Sequence, residues 1–229
     1  GGHRAGALEP PTGPADSPGT AARMRLAAAV RPQGRNTFNT ISALILPSVV
    51  SVHATRNQPA NATIEPEGAA AFVNPFDGVP EKLVGAKAFE SVGSGVIVDS
   101  RGFVLTNYHV ISQATNVLAT VSGDGGGDFL ATVVAVDPGA DLALLKLANA
   151  TPLPEARLGD SDAVKVGDWV LAFGSPFGLD QTVTQGIISN KRESLVVGGA
   201  SFGAMLQTDA PINRGSSGGP LVNLKAEVI

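Results

Sequence analysis

The chain has no cysteine, which removes disulfide frameworks, thiolate metal sites and cysteine nucleophiles together and leaves the compartment unreadable from redox chemistry. It has three histidines and no paired-histidine motif, so zinc-protease chemistry has no support. Aromatic residues are only 5% of the chain and the net charge is -4. With no basic stripe interleaved with aromatics, nucleic acid is not an expected partner. No apolar run approaches the roughly 20 residues that span a bilayer. The longest candidate, Ile41 to Val52, is interrupted by Pro47 and carries Ser42, Ser48 and Ser51. No basic stretch followed by an apolar one marks a secretory signal. The chain opens on Gly1, so the expectation is a processed piece with any anchor or signal lying upstream.

What is present is a foldable chain rich in turns. At 229 residues with 43% hydrophobic content, it is long enough for one large domain or two small ones. The 28 glycines and 16 prolines point to many turns between short strands. Residues 1–36, rich in Pro, Gly, Ala and Arg, read as a flexible leader that contains His3. From Thr37 to Leu46, the spacing of Phe38, Ile41, Leu44 and Ile45 predicts a helix, capped by Asn36 or Thr37 and ended by Pro47. Ser48 to Thr55 alternates as a strand with His53 on the polar face. Residues 57–90 contain Pro59, Pro66, Pro75 and Pro80, and read as a long surface excursion.

From Ser91 onward, short β-rich runs follow at close spacing. They are expected at Gly95 to Asp99, Phe103 to Thr106, Asn116 to Val121, Phe129 to Val136 and Leu142 to Leu147. A second set is expected at Trp169 to Phe173, Thr182 to Ser189, Ala204 to Thr208, Pro220 to Val222 and Glu227 to Ile229. No long amphipathic helix interrupts either set, which argues against βαβ units and for two antiparallel barrels or sandwiches in tandem. The expected division is 37–150, a helix plus the first barrel with a surface loop at about 55–90, and 151–229, a second barrel. Gly93-Ser94-Gly95 is not a dinucleotide fingerprint, because a strand rather than a helix follows and the third glycine is missing.

Near the C-terminus lies Asn213-Arg214-Gly215-Ser216-Ser217-Gly218-Gly219-Pro220. Glycines around a serine allow backbone N–H groups to approach a ligand closely, although a Gly-Ser loop by itself is commonly only a loop. Two upstream residues supply what a serine nucleophile needs. His109 follows an apolar strand and is the one histidine in a setting suited to a general base, the alternative being a buried structural histidine. Asp141, at the mouth of another strand, can orient it. Asp137, the competing carboxylate, precedes Pro138-Gly139 and is explained as a turn former. The pattern Gly215-x-Ser217-x-Gly219 also fits a nucleophile elbow, but that elbow needs a following helix and a later histidine, and neither is here. The order His109, Asp141, Ser217 is that of two-barrel serine proteases.

These residues, together with Gly93-Ser94-Gly95-Val96-Ile97-Val98, Thr106-Asn107-Tyr108-His109-Val110-Ile111, Asp141-Leu142-Ala143-Leu144-Leu145-Lys146 and Gly174-Ser175-Pro176-Phe177-Gly178-Leu179, resemble the HtrA (DegP-like) trypsin-fold serine proteases of bacterial envelopes and organelles. The resemblance covers roughly Phe38 to Ile229. It implies an all-β fold of two tandem six-stranded antiparallel β-barrels of the chymotrypsin/trypsin type, the second truncated at its C-terminus, with no PDZ domain in this chain. It implies Ser217 as nucleophile, His109 as general acid and base, Asp141 as orienting carboxylate and the N–H groups of Gly215 and Ser217 as the oxyanion hole, with no cofactor or metal. Further implications are unfolded or damaged protein substrates cut without ATP, a homotrimer, a periplasmic or envelope location, and an anchor or PDZ domain outside the chain.

Two positions depart from the family's usual Asn-Pro-Gly-Asn-Ser-Gly-Gly-Pro. Arg214 replaces a proline that would restrict the loop, leaving the Arg214–Gly215 peptide freer to turn its N–H away from the hole. Ser216 places a second serine beside the nucleophile. In trypsin-like relatives a carboxylate at the position of Pro211 selects basic side chains. Its absence implies a small or medium apolar residue before the cut, with Ile212 as a wall of the substrate pocket. An inactive scaffold or peptide-binding module of the same fold is the alternative.

Overall fold

The computed structural model describes residues 37–56, 89–123, 126–149, 151–175, 181–197 and 200–229. The expected leader and nearly all of the Pro-rich excursion lie outside the described residues, as does Asn36. Helix α1 runs Thr37–Ile45 and passes into a 3-10 turn at Leu46–Ser48. Pro47 lacks the N–H that an α-helix would use and so closes the helix where the sequence predicts. Ile41, Leu44 and Ile45 fall on the buried face of α1, and Phe38 tilts against Trp169 with ring centroids 5.8 Å apart.

Six strands form a closed barrel: β1 (Val49–Arg56), β2 (Phe89–Asp99), β3 (Phe103–Asn107), β4 (Asn116–Val121), β5 (Gly127–Asp137) and β6 (Leu142–Leu147), in the order β1-β2-β3-β6-β5-β4. Every pairing in it is antiparallel. Period-two alternation fixes what faces inward: Val117, Ala119 and Val121 from β4 meet Ala143, Leu145 and Leu147 from β6 in the barrel core. Each of the valines and leucines among them contributes about 1.5–3 kcal/mol of burial.

A second sheet of six strands has the order β12-β9-β8-β13-β14-β7. Its members are β7 (Arg157–Leu158), β8 (Trp169–Gly174), β9 (Thr182–Arg192), β12 (Met205–Thr208), β13 (Leu221–Asn223) and β14 (Glu227–Val228). A small hairpin, β10 (Leu195–Val197) with β11 (Ala200–Phe202), stands apart from it. The fold is thus the all-β, double six-stranded architecture the sequence implies. One pair departs from the antiparallel expectation: β7 runs parallel to β14. The two are separated by the whole intervening sheet, the long crossover that a parallel pair requires. β7, with two residues, carries too little alternation to be seen in sequence, whereas β14 falls within the run expected at Glu227 to Ile229.

Strand β1 explains how the two halves meet. Val50 and Val52 point into the barrel core, whereas Val49 joins a second core made by α1 (Ile41, Leu44, Ile45), β2 (Val96) and the second sheet (Leu171, Phe173, Val222). A strand buried on both faces reads as near-continuous apolar sequence, and Val49-Val50-Ser51-Val52 is such a run. The side-chain amide of Gln181 donates to the carbonyls of Leu46 at 2.7 Å and Val49 at 2.9 Å, tying the entrance of β1 to the segment before β9.

Candidate active site

Strand β3 ends at Asn107, and a one-turn helix α2, Tyr108–Ile111, follows at once. A helix start exposes N–H groups with no intrahelical partner, and these are usually satisfied by a cap from the preceding residue. Here Asn107 makes no side-chain cap, and Asp141 supplies the acceptors from across the sheet. Its carbonyl oxygen accepts from the Tyr108 N–H at 3.0 Å and from the Asn107 side-chain amide at 2.9 Å. Its carboxylate accepts from the His109 backbone N–H at 2.8 Å through Oδ1 and from the ring Nδ1 at 2.6 Å through Oδ2.

Asp141 adopts φ 53°, the left-handed region that most side chains avoid. Four bonds to three successive residues compensate the strain of order 1 kcal/mol. Because a carboxylate only accepts, His109 must carry its proton on Nδ1, which leaves Nε2 with a lone pair. The imidazole is 32% exposed and the Asp141 side chain 18%, so the ring is half-buried and its carboxylate partner is the more shielded of the two. Asp137 plays the separate role expected of it: Oδ1 accepts from the N–H groups of Gly139 at 3.0 Å and Ala140 at 3.1 Å. His53 lies on β1 with Nε2 3.2 Å from the Ser51 hydroxyl.

The serine loop is a β-turn. Ser216 N–H donates to the Asn213 carbonyl at 3.0 Å, with Gly215 at φ 90° in the third position. A type II turn requires positive φ there, which is why glycine fits. The Ser216 carbonyl accepts from Gly219 N–H at 2.9 Å, and the Ser217 carbonyl accepts from Ser94 N–H at 2.7 Å. Gly218 has φ 84°. A Cβ on it would overlap the Ser94 carbonyl oxygen and the Thr106 hydroxyl and lie 2.9 Å from the Asn107 N–H nitrogen. The residue after Ser217 therefore packs directly on the end of β3, two residues before His109. Half-buried Ser217 and His109 thus come from the two halves of the chain to one seam.

Ile212, expected as a pocket wall, is 47% exposed, and the Pro211 carbonyl beside it accepts from the Thr184 hydroxyl at 2.7 Å. Arg214 is exposed. Sequence reasoning missed Asn107, Thr106, Ser94 and Ser175 as parts of the site. Ser94 and Ser175 stood inside motifs that carried the family resemblance, but nothing in their spacing said that they would meet. No group of three or more His, Asp or Glu side chains able to hold a metal occurs among the described residues, and none of their helices is long and apolar enough to cross a membrane.

The trypsin-like peptidase domain family matches residues 93–229, more than half of the chain. The magnetosome formation protease MamE of Paramagnetospirillum magneticum is 47% identical over 194 residues, which is 84% of this chain and 26% of that protein. A probable periplasmic serine endoprotease, DegP-like, of Pseudomonas putida is 46% identical over 140 residues, covering 61% of this chain and 28% of that protein. The chain therefore spans about a quarter of the length of these relatives. Among solved structures, the HtrA-type protease AlgW with a decapeptide superposes with a TM-score of 0.65 at 34% identity, covering 84% of this chain and 56% of that one. The double β-fold, the His109–Asp141 pair beside a glycine-flanked serine and these likenesses lead to one assignment: the chain belongs to the trypsin-like peptidase domain family, among the HtrA (DegP-like) trypsin-fold serine proteases.

Proposed function

We propose that this chain is the protease unit of an HtrA-type serine endopeptidase that cuts protein chains through an acyl-enzyme. The observation that carries the reading is the two-point hold of Asp141 on His109, with the residue after Ser217 packed on the end of the strand that leads into that histidine. In the proposed reaction Ser217 Oγ attacks the carbonyl carbon of the scissile peptide as Nε2 of His109 takes its proton. Asp141 stabilises the imidazolium. The N–H groups of Gly215 and Ser217 receive the oxyanion, each such donor being worth about 2.7–4 kcal/mol in the transition state. His109 then protonates the leaving amine, and water deacylates the serine by the reverse proton path. Peptide hydrolysis is downhill, so no ATP is needed.

The substrates we infer are unfolded or damaged protein segments with a small or medium apolar residue before the cut, accepted beside Ile212. A peptide-bearing HtrA neighbour supports the substrate class, and the name of the DegP-like relative supports a periplasmic or envelope location. A homotrimer built through the segment around Phe38 completes the reading, tested by light scattering, with a clean monomer counting against it. A fluorophosphonate probe applied to the intact protein is expected to label Ser217 and not Ser216, with labelling lost in Ser217→Ala and reduced in His109→Ala. A well-folded protein that takes up no label overturns the assignment.

A second reading has its own observation. Arg214 stands at the second position of the Asn213–Ser216 turn, where a proline would pre-set the backbone. A loop free to rearrange fits a scaffold or peptide-binding module that keeps the triad without turning over substrate. Casein turnover by the intact protein and by its Ser217→Ala variant separates the two: equal turnover, or none from either, favours the scaffold.

A further inference from the structure

Five polar side chains are buried among the described residues: Ser48, Ser51, Ser94, Thr106 and Ser175. Four of them form one connected network behind the serine loop. The Ser51 hydroxyl donates to the Ser175 carbonyl at 3.2 Å. Ser175 N–H donates to the Ser94 hydroxyl at 2.8 Å, and that hydroxyl donates to the Gly215 carbonyl at 2.5 Å. The Thr106 hydroxyl donates to the Ser94 carbonyl at 2.7 Å, while Ser94 N–H donates to the Ser217 carbonyl at 2.7 Å. Ser94, fully buried, is the node: its N–H, its carbonyl and both functions of its hydroxyl are all engaged.

We propose that Ser94 is a positioning residue for the nucleophile loop, fixing the Gly215 and Ser217 carbonyls from the opposite half of the molecule. The inference rests on Ser217 being the nucleophile. With the Gly215, Ser216 and Ser217 carbonyls held by Ser94 Oγ, Gly219 N–H and Ser94 N–H in turn, three successive peptide planes cannot rotate. The middle plane carries the Ser217 N–H, one of the two oxyanion donors. Gly215 by itself has the widest backbone freedom of any residue, and the Ser94 hydroxyl adds a hold from outside to the turn bond that Ser216 N–H makes to the Asn213 carbonyl on the same peptide plane. Removing that hydroxyl leaves the Gly215 carbonyl and the Ser175 N–H without their buried partner, and the loop relieves this by turning.

The test measures fluorophosphonate labelling of the intact protein as separate maximal rate and half-saturating concentration, alongside thermal melting. Ser94→Ala is expected to lower the maximal labelling rate by about ten- to a hundredfold, less than the roughly 10²–10³ of a donor removed outright, with the half-saturating concentration unchanged within about twofold. Ser94→Thr, which keeps the hydroxyl, is expected to recover most of the rate. Ser48→Ala serves as control: its equally buried hydroxyl, bonded to the Ile45 carbonyl at 2.6 Å, lies in the turn before β1, so its loss lowers the melting temperature without slowing labelling. A Ser94→Ala protein labelled as fast as the parent overturns the proposal, as does a folded Ser94→Thr protein as slow as Ser94→Ala. Should Ser94→Ala not fold, Ser94→Gly, which also lacks the hydroxyl, is measured instead, and parental speed there has the same force. A parent that is folded and yet labelled elsewhere than Ser217 removes the nucleophile assignment itself, an outcome distinct from these.

Discussion

Asp141 grips His109 at two atoms with one carboxylate, Oδ1 on the backbone N–H at 2.8 Å and Oδ2 on ring Nδ1 at 2.6 Å. The first bond caps α2 and sets where the histidine starts; the second sets which way its ring faces and which nitrogen is protonated. Position and tautomer are therefore decided by the same group, each through its own oxygen.

Asp141→Asn separates size from charge. Asparagine tolerates the left-handed φ of 53° and can keep the cap through its oxygen, but its NH₂ cannot accept from Nδ1–H. The expected outcome is a folded protein with kcat lower by roughly 10⁴, the scale seen when a triad carboxylate is neutralised. Turnover within tenfold of the parent would show that Asp141 is not the orienting group.

Gly218→Ala tests the packing of the serine loop on β3. Its Cβ meets the Ser94 carbonyl oxygen and the Thr106 hydroxyl at a backbone φ of 84°, with main chain on one side that cannot yield. We expect destabilisation of at least about 2 kcal/mol by denaturant titration, since overpacking and strain each cost about 1–3 kcal/mol, together with loss of fluorophosphonate labelling. Unchanged stability would contradict the contact.

Arg214→Pro restores a residue suited to the second position of the Asn213–Ser216 turn, which Ser216 N–H closes at 3.0 Å. A proline compatible with its site stabilises by about 0.4–1 kcal/mol through the unfolded chain. The melting temperature is expected to rise slightly and the labelling rate several-fold, because fewer loop conformers hold the donors out of place. A fall in both would show that the Arg214 N–H or side chain is needed where it stands.

Acid stability has a local reporter at the β2–β3 turn. Side-chain bonds from Arg101, then its backbone N–H at 2.8 Å, hold the Asp99 carboxyl down from its ordinary 3.8 to about 2. A folded-state value below the unfolded one stabilises above the unfolded value, and the contribution is lost as pH falls through the folded one. The difference in denaturant midpoint between parent and Arg101→Ala is therefore full above about pH 4 and closes toward pH 2. Because the pair faces solvent, with Arg101 75% exposed, the difference is small and shrinks in high salt. A gap that widens on acidification would reverse the sign.

Much of the fold was legible because its signals are local. Asn116–Val121 and Leu142–Leu147 are short β-rich runs between turn signals and form strands with those bounds, and Pro47 ends α1. The hairpin Leu195–Val197 with Ala200–Phe202 and the short strand Arg157–Leu158 went unread, since two or three residues do not make a period. The one-turn helix that carries His109, placed by the sequence only as the stretch after a strand, was not legible, because its start is capped by a residue distant in sequence rather than by its own neighbour.

The sequence by itself determined the cast: His109, Asp141 and a serine set among glycines, in one order, on a chain whose alternation permits little but paired sheets. Residue type and spacing are written along the chain, and local physics reads them there. Tertiary structure decided how the Asp141 carboxylate meets the imidazole and the backbone N–H of His109, with Asp137 at the end of β5 and Asp141 just before β6, and it decided that Ser94 closes on Gly215 and Ser217. Those bonds join residues 32 and 121 positions apart. No local propensity encodes such a meeting; it exists only once both sheets have packed along one seam.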